Sequence, residues 1–162
     1  MTKRTRIALW ILGALLAMGG IIAWQWPAIS TAYLNHRVDK ATVRLPECDR
    51  VEIEHLQDRN TVLSQVTLTG TDAEAFAAQW RSQTFGSQYQ MMCHEPVFGF
   101  KFYKGSTLLF ETTVCFHCQN FVVRTPVDIF YWGFDTSTVE SRQLLARLQV
   151  LFPASIPAQN AK

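Results

Sequence analysis

The chain has 162 residues, of which 48% are hydrophobic, 12% aromatic and 17% charged. This composition is typical of one globular domain with an accessory segment, and it excludes a disordered chain. The net charge of +2 is uneven: residues 1–45 carry six Lys/Arg against one acidic residue (+5), and residues 46–162 carry nine against twelve (−3). A mildly acidic domain has no basic surface to follow phosphates, so we expect no nucleic-acid partner.

The N-terminus predicts a membrane anchor. Lys3, Arg4 and Arg6 precede an uncharged, mostly apolar run of eighteen residues at 7–24. A helix of that length comes close to crossing the ~30 Å hydrocarbon core of a bilayer, and Trp24 suits the far interface. The alternative is a cleaved signal peptide with a small-x-small site at 28–30, although the apolar run is longer than a usual signal core.

The charges beside this run predict its orientation. Three cations lie directly before it, whereas the next ones, Arg37, Lys40 and Arg44, begin about a dozen residues beyond it. The positive-inside rule then places the N-terminus in the cytoplasm. We therefore expect a single-pass membrane protein whose C-terminal domain lies outside the cytoplasm. Its expected partners are the lipid bilayer, through residues 7–24, and an envelope protein.

The chain after the anchor predicts an α+β fold. Alternating residues indicate strands at 51–56 and 62–69, and Thr71-Asp72-Ala73-Glu74 has the pattern of a capping box that opens a helix at 72–82. A polar loop is expected at 84–90. The predicted organisation is a basic flank (1–6), a transmembrane anchor (7–24), a juxtamembrane stalk (25–45), an extracytoplasmic α+β domain (46–153) and a disordered tail (154–162).

The most distinctive stretch is residues 92–121. Phe98, Phe100 and Phe102 alternate with smaller or polar residues, a turn follows around Gly105, and 107–114 has strand composition. Further strands are expected at 121–124 and 127–134. A second capping box at 137–140 predicts a last helix that ends at Pro153. Together these elements predict one antiparallel sheet with two helices packed on one face.

The predicted hairpin also brings the cysteines together. With the turn near Gly105, antiparallel pairing places Cys93 opposite residues 116–118. Cys93 and His94 should therefore lie beside Cys115, His117 and Cys118 at the open end of the hairpin.

Three chemistries suit this cluster. In an oxidising compartment disulfides are expected, with Cys48, Cys93, Cys115 and Cys118 as candidates and no pairing distinguished by the sequence. Zinc is the alternative cofactor, since tetrahedral thiolate and imidazole ligands could come from Cys93, Cys115 and Cys118 with His94, His117 or Cys48. A thiol–disulfide redox protein is the second alternative, although strand rather than helix is expected after the C-x-x-C.

No catalytic set is indicated. Glu95 stands next to His94, but Pro96 imposes an extended turn there, and no nucleophile or Gly-rich phosphate loop is recognisable. The sequence therefore favours a non-catalytic, disulfide-stabilised binding or scaffold domain without a cofactor.

Several short runs carry a resemblance. They are Cys93-His94-Glu95-Pro96, the segment 99–105 (GFKFYKG), Leu109-Phe110-Glu111-Thr112, and Cys115-x-x-Cys118-x-Asn120-Phe121, followed by Gly133-Phe134-Asp135. This pattern resembles one found in small, uncharacterised bacterial proteins and covers roughly the second half of the chain. The resemblance implies a bacterial origin and a shared geometry around the cysteines, and it carries no information on activity. With that origin, the expected location is the bacterial inner (cytoplasmic) membrane, with a periplasmic or extracellular C-terminal domain.

Overall fold

A computed structural model describes residues 3–59, 61–88, 93–124 and 129–153. Its elements, in chain order, are α1 (Lys3–Ala41), β1 (Arg50–Leu56), β2 (Val62–Thr69), α2 (Gly70–Arg81), β3 (Phe85–Gln88), β4 (Phe98–Lys104), β5 (Thr107–Cys115), β6 (Asn120–Arg124), β7 (Ile129–Phe134) and α3 (Val139–Leu151). The predicted tail at 154–162 lies outside the described residues, as do positions 127 and 128 of the last predicted strand.

The chain divides into two compact units, Met1–Arg37 and Val38–Lys162. The second unit begins before residue 46, where we expected the domain to start. The reason is burial: Val38, Ala41 and Leu45 at the end of α1 and just after it are almost fully enclosed. The indole Nε1 of Trp80 also donates to the carbonyl of Ala41 at 2.9 Å, which ties this segment to α2.

The first unit contains most of α1. Among the described residues, no helix combines the length and hydropathy that crossing a membrane requires, so the predicted transmembrane helix at 7–24 is not found there. More than half of the side chains in residues 7–24 lie outside the part of the chain that the structure describes.

The second unit is built on one seven-stranded sheet with the order β2-β1-β4-β5-β6-β7-β3. Each neighbouring pair is antiparallel, which confirms the predicted α+β class. The central hairpin also matches the prediction: β4 and β5 pair from Phe98↔Val114 to Lys104↔Thr107. Gly105 lies in the turn with φ +57°, a left-handed conformation that glycine adopts without a steric penalty.

One face of the sheet carries α2, α3 and the aromatic core. Phe98, Phe100 and Phe102 are fully buried on this inner face. Phe76 and Trp80 of α2 pack on them edge to face, with ring centroids 5.2 Å and 5.6 Å from that of Phe100. The alternate side chains of β4 therefore pack against the apolar side chains of α2 that are spaced one helical turn apart, as the sequence predicted.

Three local predictions were wrong. Residues 84–90 do not form only a loop, because β3 pairs with β7 at the sheet edge and Gly86 accepts a hydrogen bond from Trp132 Nε1 at 3.0 Å. Neither expected capping box forms. The Glu74 carboxylate instead accepts from the amide of Cys48 at 2.8 Å and pairs with Arg81. In α3 the cap is Thr138 rather than the residue before it.

Candidate functional site

The site lies where the chain crosses the sheet. β3 is at one edge, beside β7, whereas β4 lies between β1 and β5. The connection between them must pass from the edge to the middle of the sheet. Its last part, residues 93–97, is called the strap here. The strap contacts Thr113, Asn120 and Tyr131. Thr112 pairs with the inner-face residue Phe100, and side chains alternate along a strand. Thr113 therefore points to the opposite, outer face of the sheet.

A disulfide holds the strap on this outer face. Cys93 is bonded to Cys118, with their Cα atoms 6.0 Å apart, within the usual range for a bridge. Cys118 lies in the turn between β5 and β6, so the bond joins the strap to the open end of the central hairpin. The register argument from the sequence therefore placed Cys93 beside the right segment, and the structure selects Cys118 as its partner.

The other two cysteines are thiols, and both are buried. Cys115 Sγ accepts a hydrogen bond from the amide of Cys118 at 3.1 Å. Cys48 lies away from the strap, where its amide donates to Glu74 and its thiol donates to the carbonyl of Pro46 at 3.3 Å. Burial raises the pKa of the Cys48 thiol to about 11. The neighbouring Asp49 bonds to Tyr103 and Gly105 at the turn of the central hairpin, so Cys48 lies at the end opposite to the strap and outside the predicted cluster.

His94 secures the strap from its other side. Its ring is buried, with only 4% of the residue exposed. Asn120 Nδ2 donates to the carbonyl of Cys93 at 2.9 Å, which leaves Asn120 Oδ1 facing His94 Nδ1 at 2.6 Å. An amide oxygen only accepts, so Nδ1 carries the proton. Nε2 then accepts from the Thr113 hydroxyl at 2.9 Å, and both ring nitrogens are engaged in a neutral imidazole.

The surroundings of His94 favour this neutral form. Burial lowers the pKa of His94 below its ordinary value of 6.5, and the hydrogen bond that Nδ1 donates to Asn120 Oδ1 opposes the shift only in part. The positive charges of Arg59 and Arg124 lower the pKa further. Arg59 also donates to the carbonyl of His94 at 3.1–3.2 Å, so a cation already neighbours the strap. A protonated His94 would therefore be both poorly solvated and repelled.

We expect acid to destabilise the domain through His94. A group whose folded pKa is depressed contributes its full stability above the unfolded pKa of ~6.5, and that stability is lost as the pH falls. Below pH ~6.5 the free energy of unfolding should fall by up to ~1.4 kcal/mol per pH unit from this residue. Urea unfolding of the wild type and of His94→Gln between pH 7.5 and 5 measures the difference.

His117→Gln is the matched control, because His117 is exposed in the turn after β5. It should retain the wild-type pH profile, whereas His94→Gln should have a flatter profile and a lower stability at pH 7.5. Equal slopes for the wild type and His94→Gln would contradict the role assigned to this imidazole.

The predicted zinc ligands are only partly assembled. Two of them, Cys93 and Cys118, are joined in the disulfide, and the ring nitrogens of His94 have other partners. Within the described part of the chain, no group of three or more His, Cys, Asp or Glu residues is arranged to hold a metal ion. Zinc binding by the reduced thiols of Cys93, Cys115 and Cys118 stays a prediction.

The C-x-x-C also lacks what thiol–disulfide enzymes use. Cys115 ends β5, and a four-residue turn leads directly into β6. A reactive thiol of that type is exposed and lies at a helix N-terminus, which lowers its pKa. Cys115 is 1% exposed and is followed by a turn and a strand, so its surroundings are those of an inert thiol.

Sequence reasoning missed the partners that position His94. Asn120 and Thr113 come from different strands, and Arg59 comes from the loop after β1. Asn120 was visible only as part of the Cys118-x-Asn120 pattern, without a role. Gln119 beside it has φ +55°, an uncommon conformation for a residue with a side chain, and its carbonyl accepts from the amide of Phe134 at 3.0 Å.

Comparisons with protein-family models, with curated proteins and with solved structures found no match. Function therefore has to be inferred from the chemistry of the site itself.

Proposed function

We propose that the chain is a single-pass, membrane-anchored protein whose extracytoplasmic domain is a non-catalytic binding or scaffold module. The observation that carries the proposal is the Cys93–Cys118 disulfide, which ties the strap to the sheet. Structural disulfides persist in the periplasm and outside the cell and are rare in the reducing cytosol. A domain with this bond belongs to an oxidising compartment.

The N-terminal segment supports the anchor. Residues 7–24 contain no charged residue, and a cluster of cations precedes them. The helix α1 also exposes large apolar side chains, including Trp10 at 80%, Leu16 at 70% and Trp24 at 87%. Such side chains are stable in contact with lipid or with another apolar surface rather than water. The charge distribution favours the C-terminal domain outside the cytoplasm.

The surroundings of the reactive groups support a non-catalytic role. A general base needs a free ring nitrogen within reach of a substrate, and both nitrogens of His94 have protein partners. A nucleophilic cysteine needs access and a lowered pKa, and Cys115 is enclosed. His94 and Cys115 therefore have structural surroundings: His94 holds the strap on the sheet, and Cys115 is enclosed in the turn to which the strap is bonded.

Thiol trapping in cells tests the compartment. After acid quenching and denaturation without reductant, we expect two alkylated thiols per full-length chain, Cys48 and Cys115, and four after reduction. Intact mass after alkylation gives both counts. Four modified thiols without reductant would place the domain in the cytosol and overturn the proposal.

Charge variants test the anchor and its orientation with the same measurement. Replacing Lys3, Arg4 and Arg6 by glutamate should retain the domain in the cytoplasm, because the positive-inside signal is lost, and all four thiols should then be modified. The matched control replaces Arg37, Lys40 and Arg44 by glutamine and should leave the disulfide formed. Carbonate extraction tests the anchor itself. The wild-type protein should stay in the membrane fraction, and its release into the soluble fraction would refute the anchor.

A further inference from the structure

The strand β2 forms an open edge of the sheet. It pairs with β1 alone, and of its eight residues only Val66 and Leu68 are half-buried. Val62 and Leu63 are 46% and 55% exposed. Among the described residues, no element pairs with the other side of β2, so a row of backbone amides and carbonyls faces outward there.

Backbone hydrogen bonds identify which residues face outward. The amide of Gly70 donates to the carbonyl of Asp49 at 2.9 Å, and these two residues are opposite each other when the β1–β2 register is continued by one position. The amide of Leu56 donates to the carbonyl of Val97 at 2.8 Å, so the backbone groups of Leu56 face β4. Antiparallel ladders alternate these directions along a strand. The amides and carbonyls of Ser64, Val66 and Leu68 therefore bond to β1, and those of Gln65 and Thr67 point away from the sheet.

This edge has few of the features that prevent strands from pairing. Natural edges are usually short, charged, interrupted by proline, or bulged. β2 has eight residues (VLSQVTLT) without a charge, proline or glycine. Its one irregularity is at Leu63, so the stretch from Ser64 to Thr69 pairs regularly with β1. The opposite edge is protected, because β3 has four residues, contains Gly86 and pairs irregularly.

We propose that β2 pairs antiparallel with β2 of a second copy of this chain and joins the two sheets about a two-fold axis at Val66. Centred there, Gln65 lies opposite the partner's Thr67, and the outward amides and carbonyls of the two residues meet as a hydrogen-bonded pair, which the symmetry repeats. This register uses only the regular part of the strand.

The strand is complementary to itself in this register. Val66 faces the partner's Val66 on the inner face, where Val66 already pairs with the core residue Ile53. Leu68 faces the partner's Ser64, and the polar pair of Gln65 with the partner's Thr67 lies on the outer face. Like charges directly opposite each other destabilise a strand pair, and this register contains none. A second copy is thus a matched occupant of the edge.

The contact has a moderate expected strength. One strand pair buries less surface than the ~1,600 Å² of a standard interface, so we expect a dimer that dissociates on dilution. The dimer does not depend on the role of the disulfide or on the compartment, since it rests only on the edge of the sheet.

Crosslinking and sedimentation of the purified full chain test the proposal. Val66→Cys should form a disulfide-linked dimer under mild oxidation, because directly opposed residues of a non-hydrogen-bonded pair have Cα atoms ~4.5 Å apart. Thr69→Cys is the matched control: about six residues separate it from its symmetry mate, roughly 20 Å along the strand. It should stay at least tenfold less crosslinked.

Two disruptive variants distinguish β2 from any association through α1. Thr67→Pro removes an outward donor that β1 does not use, and Gln65→Lys adds charge at the edge. Both should shift sedimentation to the monomer while the near-UV circular dichroism of the domain is retained. A wild-type chain that is monomeric at 200 µM (about 4 mg/ml), or a dimer that survives Gln65→Lys, would overturn the proposal.

Discussion

Replacing Trp80 with alanine is expected to lower the free energy of unfolding of the domain by about 4–6 kcal/mol at 25 °C. The indole is fully buried and contacts three aromatic rings from different strands, those of Phe85, Phe100 and Phe121, at 5.2–5.6 Å between centroids. Truncation of such a side chain costs about 3–5 kcal/mol, and loss of the bond to the Ala41 carbonyl adds about 1 kcal/mol. Domains of this size have a total stability of only about 5–15 kcal/mol.

Urea unfolding followed by near-UV circular dichroism measures this effect. Trp80→Phe keeps an aromatic ring but leaves the carbonyl of Ala41 without its donor, so a smaller loss of roughly 1–3 kcal/mol is expected. Val150→Ala is the surface control, since Val150 is 80% exposed on α3 and should change stability by less than about 0.5 kcal/mol. Near-equal midpoints for Trp80→Ala and Val150→Ala would refute the assignment of the core.

Removing the disulfide should be the second large effect. The bond closes a loop between residues 25 positions apart, and the loss of loop-closure entropy in the unfolded chain corresponds to about 3.5 kcal/mol. Cys93→Ala/Cys118→Ala should therefore lower the free energy of unfolding by about 2–4 kcal/mol. The loss should be accompanied by faster hydrogen exchange in the strap and at Asn120, because hydrogen bonds and packing alone then hold the strap, among them the His94 network.

Reductant provides the control for this variant. Reduced wild-type protein should unfold at the midpoint of the double variant, and the double variant should not respond to reductant. Cys48→Ala should keep the wild-type response, because Cys48 is a free thiol. If reduction leaves the wild-type midpoint unchanged, the bond does not stabilise the domain.

The central hairpin was predictable because its information is local. Alternation of Phe98, Phe100 and Phe102 specifies which face is buried, and a glycine at the turn allows the left-handed conformation seen at Gly105. Those two features set the register and brought Cys93 toward Cys118. The choice of Cys118 over Cys115 was not local, since it depends on which side of the turn faces the strap.

Predictions failed where a distant partner decided the conformation. Phe85–Gln88 has weak strand composition and is extended because β7 offers an open edge. Glu74 has the spacing of a capping residue, but the amide of Cys48 and the guanidinium of Arg81 are stronger partners for its carboxylate. In a capping box the carboxylate would accept from one backbone amide, whereas here it accepts from one amide and also pairs with a guanidinium, so the observed arrangement prevails over the local cap.

The sequence by itself determined the described strands other than β3, the helices α2 and α3, the central turn and the cysteines at its open end, because side-chain periodicity and turn chemistry act between near neighbours. The tertiary structure decided the order of the strands, the path of the strap across the outer face and the partners of His94. These features depend on contacts between segments far apart in the chain, such as Arg59 with His94 and Thr113 with His94. Their energies arise only when the sheet has assembled, so no local pattern of residues encodes them.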